Sequence, residues 1–118
     1  MLKQDPKIRC EKRSLPKAIG TCRFYSNIQS RYADVLQSNT DIKEIRCNYS
    51  LEDFELGAYT SDFVCLRQNG SYMVRECVDR RYLSKPMTIR LLEASRRFWL
   101  QKGISDWGIV INREVDNG

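Results

Sequence analysis

The sequence predicts an α/β protein with a mixed central sheet flanked by two helices, in the order helix, three strands, helix, strand. Three observations carry that expectation. Apolar residues recur at helical spacing from Ser26 to Ser38 and again after Pro86. Between these stretches lie three strand-like segments, the last two joined around an Asn69-Gly70 dipeptide, a strong hairpin signal. After Gly103, the short apolar run Trp107-Gly108-Ile109-Val110-Ile111 reads as a buried strand pairing parallel within the sheet.

Residues 1–24 are polar and basic, and Pro6, Pro16 and Gly20 interrupt any helix, so they read as a basic arm or irregular segment ordered against a partner. A single domain then spans 25–114, and 115–118 read as a flexible tail. The first helix opens with Ser26-x-x-Gln29, a capping-box pattern, and places Ile28, Tyr32, Val35 and Leu36 on one face. Ser38-Asn39-Thr40-Asp41 ends it. The strands are expected at Ile42 to about Ser50, Leu56 to Arg67 and Tyr72 to Val78. In the second helix Thr88, Leu91, Leu92, Ser95, Phe98 and Trp99 form one stripe, Arg90, Glu93 and Arg97 lie on another face, and Gly103 stops the helix.

Composition narrows the function classes. The 118 residues hold 20 Lys and Arg against 15 acids, a net charge of +5. Segments 1–25 and 75–102 are each +5, residues 26–74 are −3 and the last sixteen are −2. Two basic segments around a mildly acidic middle suit a polyanionic partner, although Lys and Arg also simply solvate exposed faces. No apolar run approaches the roughly 20 residues of a membrane span, so no membrane partner is expected. The charged N-terminus has no apolar signal region, and the chain is expected in the cytoplasm. There is no histidine, which removes Ser-His and Cys-His nucleophile schemes, and the five cysteines contain no C-x-x-C pair. Cys65 and Cys77 lie in expected strands and read as core residues.

Two acids stand inside apolar strands, Asp62 in Tyr59-Thr60-Ser61-Asp62-Phe63-Val64 and Glu76 in Met73-Val74-Arg75-Glu76-Cys77-Val78. Such acids are costly to bury unless paired or metal-bound. The turn decides whether they meet. A two-residue Asn-Gly loop pairs Asp62 with Cys77. A three-residue Gln68-Asn69-Gly70 loop, with Gly70 left-handed, pairs Asp62 with Glu76.

The helix opening Ser26-Asn27-Ile28-Gln29, the Tyr59-to-Val64 strand, the Glu76 strand and the close from Arg96-Arg97-Phe98-Trp99 to Ile109-Val110-Ile111 resemble the N-terminal catalytic domain of TnsA-like endonucleases. These are transposase subunits of the PD-(D/E)XK, restriction-endonuclease-like superfamily, whose core order is αβββαβ. The resemblance runs from about Phe24 to Asn112. It implies hydrolysis of DNA phosphodiester bonds with Mg²⁺ or Mn²⁺, and transposase or other mobile-element proteins as partners beside DNA. Carried over by position, Asp62 and Glu76 match metal ligands, Gln29 stands where a helix glutamate is expected, and Val78 replaces the lysine that positions or activates water. Lys85 is the candidate for a migrated lysine. Arg80, Arg81, Lys85, Arg90, Arg96 and Arg97 are candidate DNA contacts. The two departures support an alternative, a catalytically inactive nuclease fold serving as a DNA-binding or assembly subunit. Structural roles also remain open: Gln29 as a capping residue, Asp62 paired with Arg75 or Arg46, and Glu76 with Arg80 or Lys85.

Overall fold

A computed structural model describes residues 10–112. It contains β1 (Glu11–Arg13), β2 (Cys22–Phe24), α1 (Asn27–Ser38), β3 (Ile42–Ser50), β4 (Thr60–Arg67), β5 (Tyr72–Val78), a 3₁₀ turn (Arg80–Tyr82), α2 (Pro86–Gln101) and β6 (Trp107–Ile111). The main sheet has the order β3-β4-β5-β6, with β3, β4 and β5 antiparallel and β6 parallel to β5. The chain is therefore the expected α/β protein with a mixed sheet and two helices. No helix among the described residues is long and apolar enough to cross a membrane.

Alternation along the strands assigns the two faces. Ile45, Phe63, Cys65, Met73 and Cys77 pack with Ala33 and Leu36 of α1, whereas Val64 and Val74 pack with Leu91, Ala94 and Trp99 of α2. Each of the fully buried Phe63, Leu36, Ile42 and Ile45 contributes about 1.5–3 kcal/mol by removal from water. Phe63 meets the rings of Phe24 and Tyr32 at 5.8 and 5.6 Å. On the other face Phe54 stacks on Tyr59 at 4.7 Å and Phe98 meets Trp99 edge-on at 5.3 Å.

The helix ends follow local chemistry. Ser26 caps α1, its hydroxyl accepting from the Gln29 amide at 3.4 Å. The buried stripe is Gln29, Ala33 and Leu36, with Ile28 and Tyr32 half-buried beside it. Val35, expected on the core face, is 57 % exposed. The inward face is rotated because a polar residue, Gln29, occupies its first position. Proline opens α2, where its missing N–H costs nothing. Gly103 (φ +85°) closes it in a Schellman motif, with the Ile104 amide donating to Trp99 and the Gly103 amide to Leu100, both at 2.9 Å.

Three other expectations are corrected. Residues 10–24 are not an irregular arm: β1 and β2 pair antiparallel, and Leu15, Cys22 and Phe24 enter the core. Residues 1–9 of that arm and the tail at 115–118 lie outside the described residues. The strand expected from Leu56 begins at Thr60, because Phe54–Gly57 makes a turn with Gly57 at φ +96°. β6 is parallel as expected but is a sheet edge, with Ile109 and Ile111 more than 40 % exposed.

The hairpin takes the three-residue loop. The Arg67 amide donates to the Ser71 carbonyl at 2.8 Å, and Gly70 sits at φ +88°. The ladder runs from Leu66↔Tyr72 to Phe63↔Arg75. Continued by one step, that register sets Asp62 against Glu76.

Candidate functional site: a buried two-carboxylate network

At Asp62 the sheet changes face. β3 and β4 keep one register across this point, with Cys47↔Phe63 and Tyr49↔Ser61 on either side. Yet Cys47 and Phe63 belong to the α1 face, while the Tyr49 ring lies 5.5 Å from Trp99 and Ser61 accepts from Trp99, both on the α2 face. Opposite Asp62 stands Asn48 in the left-handed conformation (φ +53°), which asparagine tolerates better than most residues. Its Oδ1 accepts from the Arg23 amide at 3.0 Å and so ties β2 to the kink.

This exchange points the Asp62 side chain into the seam between β4 and β5. Its Oδ2 accepts from the Cys77 amide at 2.7 Å and its Oδ1 from Gln29 Nε2 at 2.8 Å. The Asp62 amide in turn donates to Glu76 Oε1 at 3.0 Å. Where the backbone ladder stops, each carboxylate thus accepts a strand amide. Gln29 completes its side of the seam by accepting from the Tyr25 amide at 2.6 Å through Oε1. Its side chain bridges the chain before α1 to Asp62.

Glu76 is fully buried on the α2 face. Its Oε2 accepts from the hydroxyls of Ser61 and Ser95, both at 2.7 Å. Those hydroxyls are themselves oriented by indoles: Trp99 Nε1 donates to Ser61 at 3.0 Å and Trp107 Nε1 to Ser95 at 3.1 Å. Burial, and then the neighbouring Asp62 charge, push the Glu76 carboxyl up to about 7, against the pull of the Ser95, Asp62 and Ser61 hydrogen bonds. Burial and the same two carboxylates raise the Tyr59 phenol and the Cys77 thiol.

The sequence-predicted residues divide. Asp62, Glu76 and Gln29 come together. Lys85 does not join them in this arrangement: it is exposed at the N-cap of α2, with its amine 5.6 Å from the centre of the Tyr82 ring. Val78 is buried at the end of β5. The alternative partners proposed for Asp62 are engaged elsewhere, Arg75 with Asp106 at 2.8 Å and Arg46 with Glu44 at 3.5 Å. Among the cations, Arg80, Arg81, Lys85 and Arg90 are exposed around the 3₁₀ turn and the first turns of α2. Arg81 pairs with Asp79 at 3.3 Å, and Arg96 and Arg97, further along α2, pair with Glu93 and Glu55, each at 3.0 Å.

The donor set does not fit a magnesium ion in this arrangement. Such an ion takes oxygen ligands in near-octahedral geometry, whereas all four carboxylate oxygens of Asp62 and Glu76 accept hydrogens from the protein. Gln29 also presents its amide nitrogen, not its oxygen, to Asp62. Among the described residues no group of three or more His, Cys, Asp or Glu side chains is disposed to hold a metal.

Sequence reasoning missed Ser61, Ser95, Tyr59, both tryptophans and Asn48 as parts of this network. Ser95 carried a signal, since a small hydroxyl in the centre of an otherwise apolar helical stripe needs a buried partner. Asn48 carried none. No family model matches the chain, and no curated protein matches it.

Proposed function

We propose that the chain is a catalytically silent, nuclease-like α/β protein that acts on nucleic acid through its basic exterior. The observation that carries the reading is that every carboxylate oxygen of Asp62 and Glu76 accepts at least one hydrogen from the protein, with a valine at 78 and Lys85 beside Tyr82. The acid pair then serves the fold, holding β4, β5, α1 and α2 together through one hydrogen-bonded seam. The resemblance to TnsA-like endonucleases and the exposed Arg80, Arg81, Lys85 and Arg90 support DNA as the partner, in an assembly with transposase or other mobile-element proteins. Three or four phosphate contacts from these side chains give a log–log salt slope of about −3 on duplex DNA. Fluorescence anisotropy with a labelled duplex across a salt series tests this, and affinity insensitive to salt contradicts it.

One observation favours a second reading, an active endonuclease. Two buried carboxylates side by side, one raised to about 7, are relieved by a divalent cation as well as by a proton. In that reading DNA or a protein partner flips the Gln29 amide and turns the serines away, so that Asp62, Glu76 and the Gln29 carbonyl would hold Mg²⁺ or Mn²⁺.

A further inference from the structure

The 3₁₀ turn after β5 presents an aromatic ring beside two cations. Asp79 caps the turn by accepting from the Arg81 amide at 3.0 Å, and the amides of Leu83 and Lys85 donate back to Arg80 and Tyr82 at 3.2 and 3.0 Å. The Arg80 amide donates to Asn112 Oδ1 at 2.8 Å, fastening the turn to the residue after β6. On this fixed base the Tyr82 ring is 42 % exposed. The Arg81 guanidinium, paired at its Nε with Asp79 at 3.3 Å, lies 5.1 Å and the Lys85 amine 5.6 Å from its centre. Both distances are within cation–π range, about 6 Å. Arg90 is exposed less than two helical turns beyond Lys85.

Burial explains other rings of the protein. Phe24, Phe63, Phe54, Tyr59 and Trp99 lie in the two cores. Tyr82 belongs to neither core and is fixed beside exposed positive charge. A nucleobase can take the place of a cation on this exposed ring, and the displaced cations offer partners to the flanking phosphates. Duplex DNA supplies the phosphates but keeps its base faces stacked inside, so the ring adds little there. An unpaired strand supplies both.

We infer that Arg81, Tyr82 and Lys85 form a stacking and phosphate-binding platform for single-stranded or locally unpaired nucleic acid. This rests on the nucleic-acid reading above and deepens it by naming the strand form and the residue that selects it. Loss of one base–aromatic contact corresponds to roughly five- to hundredfold weaker binding. Each phosphate contact removed lowers the single-strand salt slope by about 0.7.

The test measures anisotropy of fluorescein-labelled oligothymidine, the same oligonucleotide with abasic sites, and a duplex of equal length. The proteins are wild type, Tyr82→Phe, Tyr82→Ala and Arg81→Gln/Lys85→Gln. Because Tyr82 is exposed, the fold is expected to survive each change, checked by circular dichroism. The expected result is that Tyr82→Ala binds oligothymidine at least fivefold more weakly, that Tyr82→Phe matches wild type, and that duplex affinity is unchanged by either. The abasic probe should bind wild type as weakly as oligothymidine binds Tyr82→Ala. Salt-dependent binding that Tyr82→Ala leaves intact overturns the platform while the nucleic-acid reading stands. No salt-dependent binding of any probe overturns both.

Discussion

The buried Glu76 is expected to make the stability of this protein fall with rising pH in a window where most carboxylates have finished titrating. The perturbation is proton loss from its buried carboxyl, raised from the ordinary 4.5 to about 7 by burial and by Asp62. Below pH 4.5 the folded and unfolded chains both hold the proton, and the stabilising contribution of the raised pKa is fully present. Between 4.5 and about 7 the unfolded chain has released it while the folded chain retains it, so stability declines. Above about 7 both have released it and the contribution is lost. At about 1.4 kcal/mol per unit, the span corresponds to on the order of 3 kcal/mol. Urea unfolding of wild type and Glu76→Gln at a series of pH values reads the Glu76 proton together with its coupling to Asp62, because the more distant titrating groups largely cancel in the difference. That difference should shift against wild type by on the order of 3 kcal/mol between pH 4.5 and 7.5 and then level off. A difference flat across the window refutes the argument that burial and the Asp62 charge raise the Glu76 carboxyl.

Further outcomes follow from the same seam. Gln29→Leu removes the donor to Asp62 Oδ1 and the acceptor for the Tyr25 amide. It should cost about 1–3 kcal/mol in urea unfolding, from the loss of two hydrogen bonds in the seam. Trp99→Phe keeps a ring in the core but removes the indole N–H to Ser61, with an expected loss of about 1–3 kcal/mol read by the same assay. Gly70→Ala meets no neighbouring atom within 4 Å, so its cost is the left-handed backbone alone, about 1–2 kcal/mol. A thermal melt should show a lower midpoint with the transition otherwise unchanged.

The elements were legible in the sequence because periodicity and punctuation agreed. Pro86 and Gly103 bracket α2, and Ser26 caps α1. The Gln68-Asn69-Gly70 loop was one of two registers open to the sequence, and it set the register on which the acid pair depends. The misreadings share one physical origin, the influence of partners distant in sequence. Helical spacing from Ile28 sets Val35 on the inward face, yet Gln29 is buried there by its bond to Asp62, 33 residues away. Basic residues and the Pro16 and Gly20 breaks suggest an irregular segment over 10–24, but Leu15, Cys22 and Phe24 anchor it in the core. The site was half legible: Asp62, Glu76 and Gln29 stood out as acids and an amide at telling positions. The donors that surround them are ordinary serines and tryptophans whose role exists only after α2 closes over the sheet.

The most direct test of the central proposal incubates the full chain with labelled DNA and Mg²⁺ or Mn²⁺, beside Asp62→Asn, and reads retardation and strand length from paired native and denaturing gels. The account predicts retarded, uncut DNA for both proteins, weakening as salt rises. Cleavage by wild type that disappears in Asp62→Asn would contradict the sealed acid pair, and DNA that is neither cut nor retarded would contradict the nucleic-acid role itself.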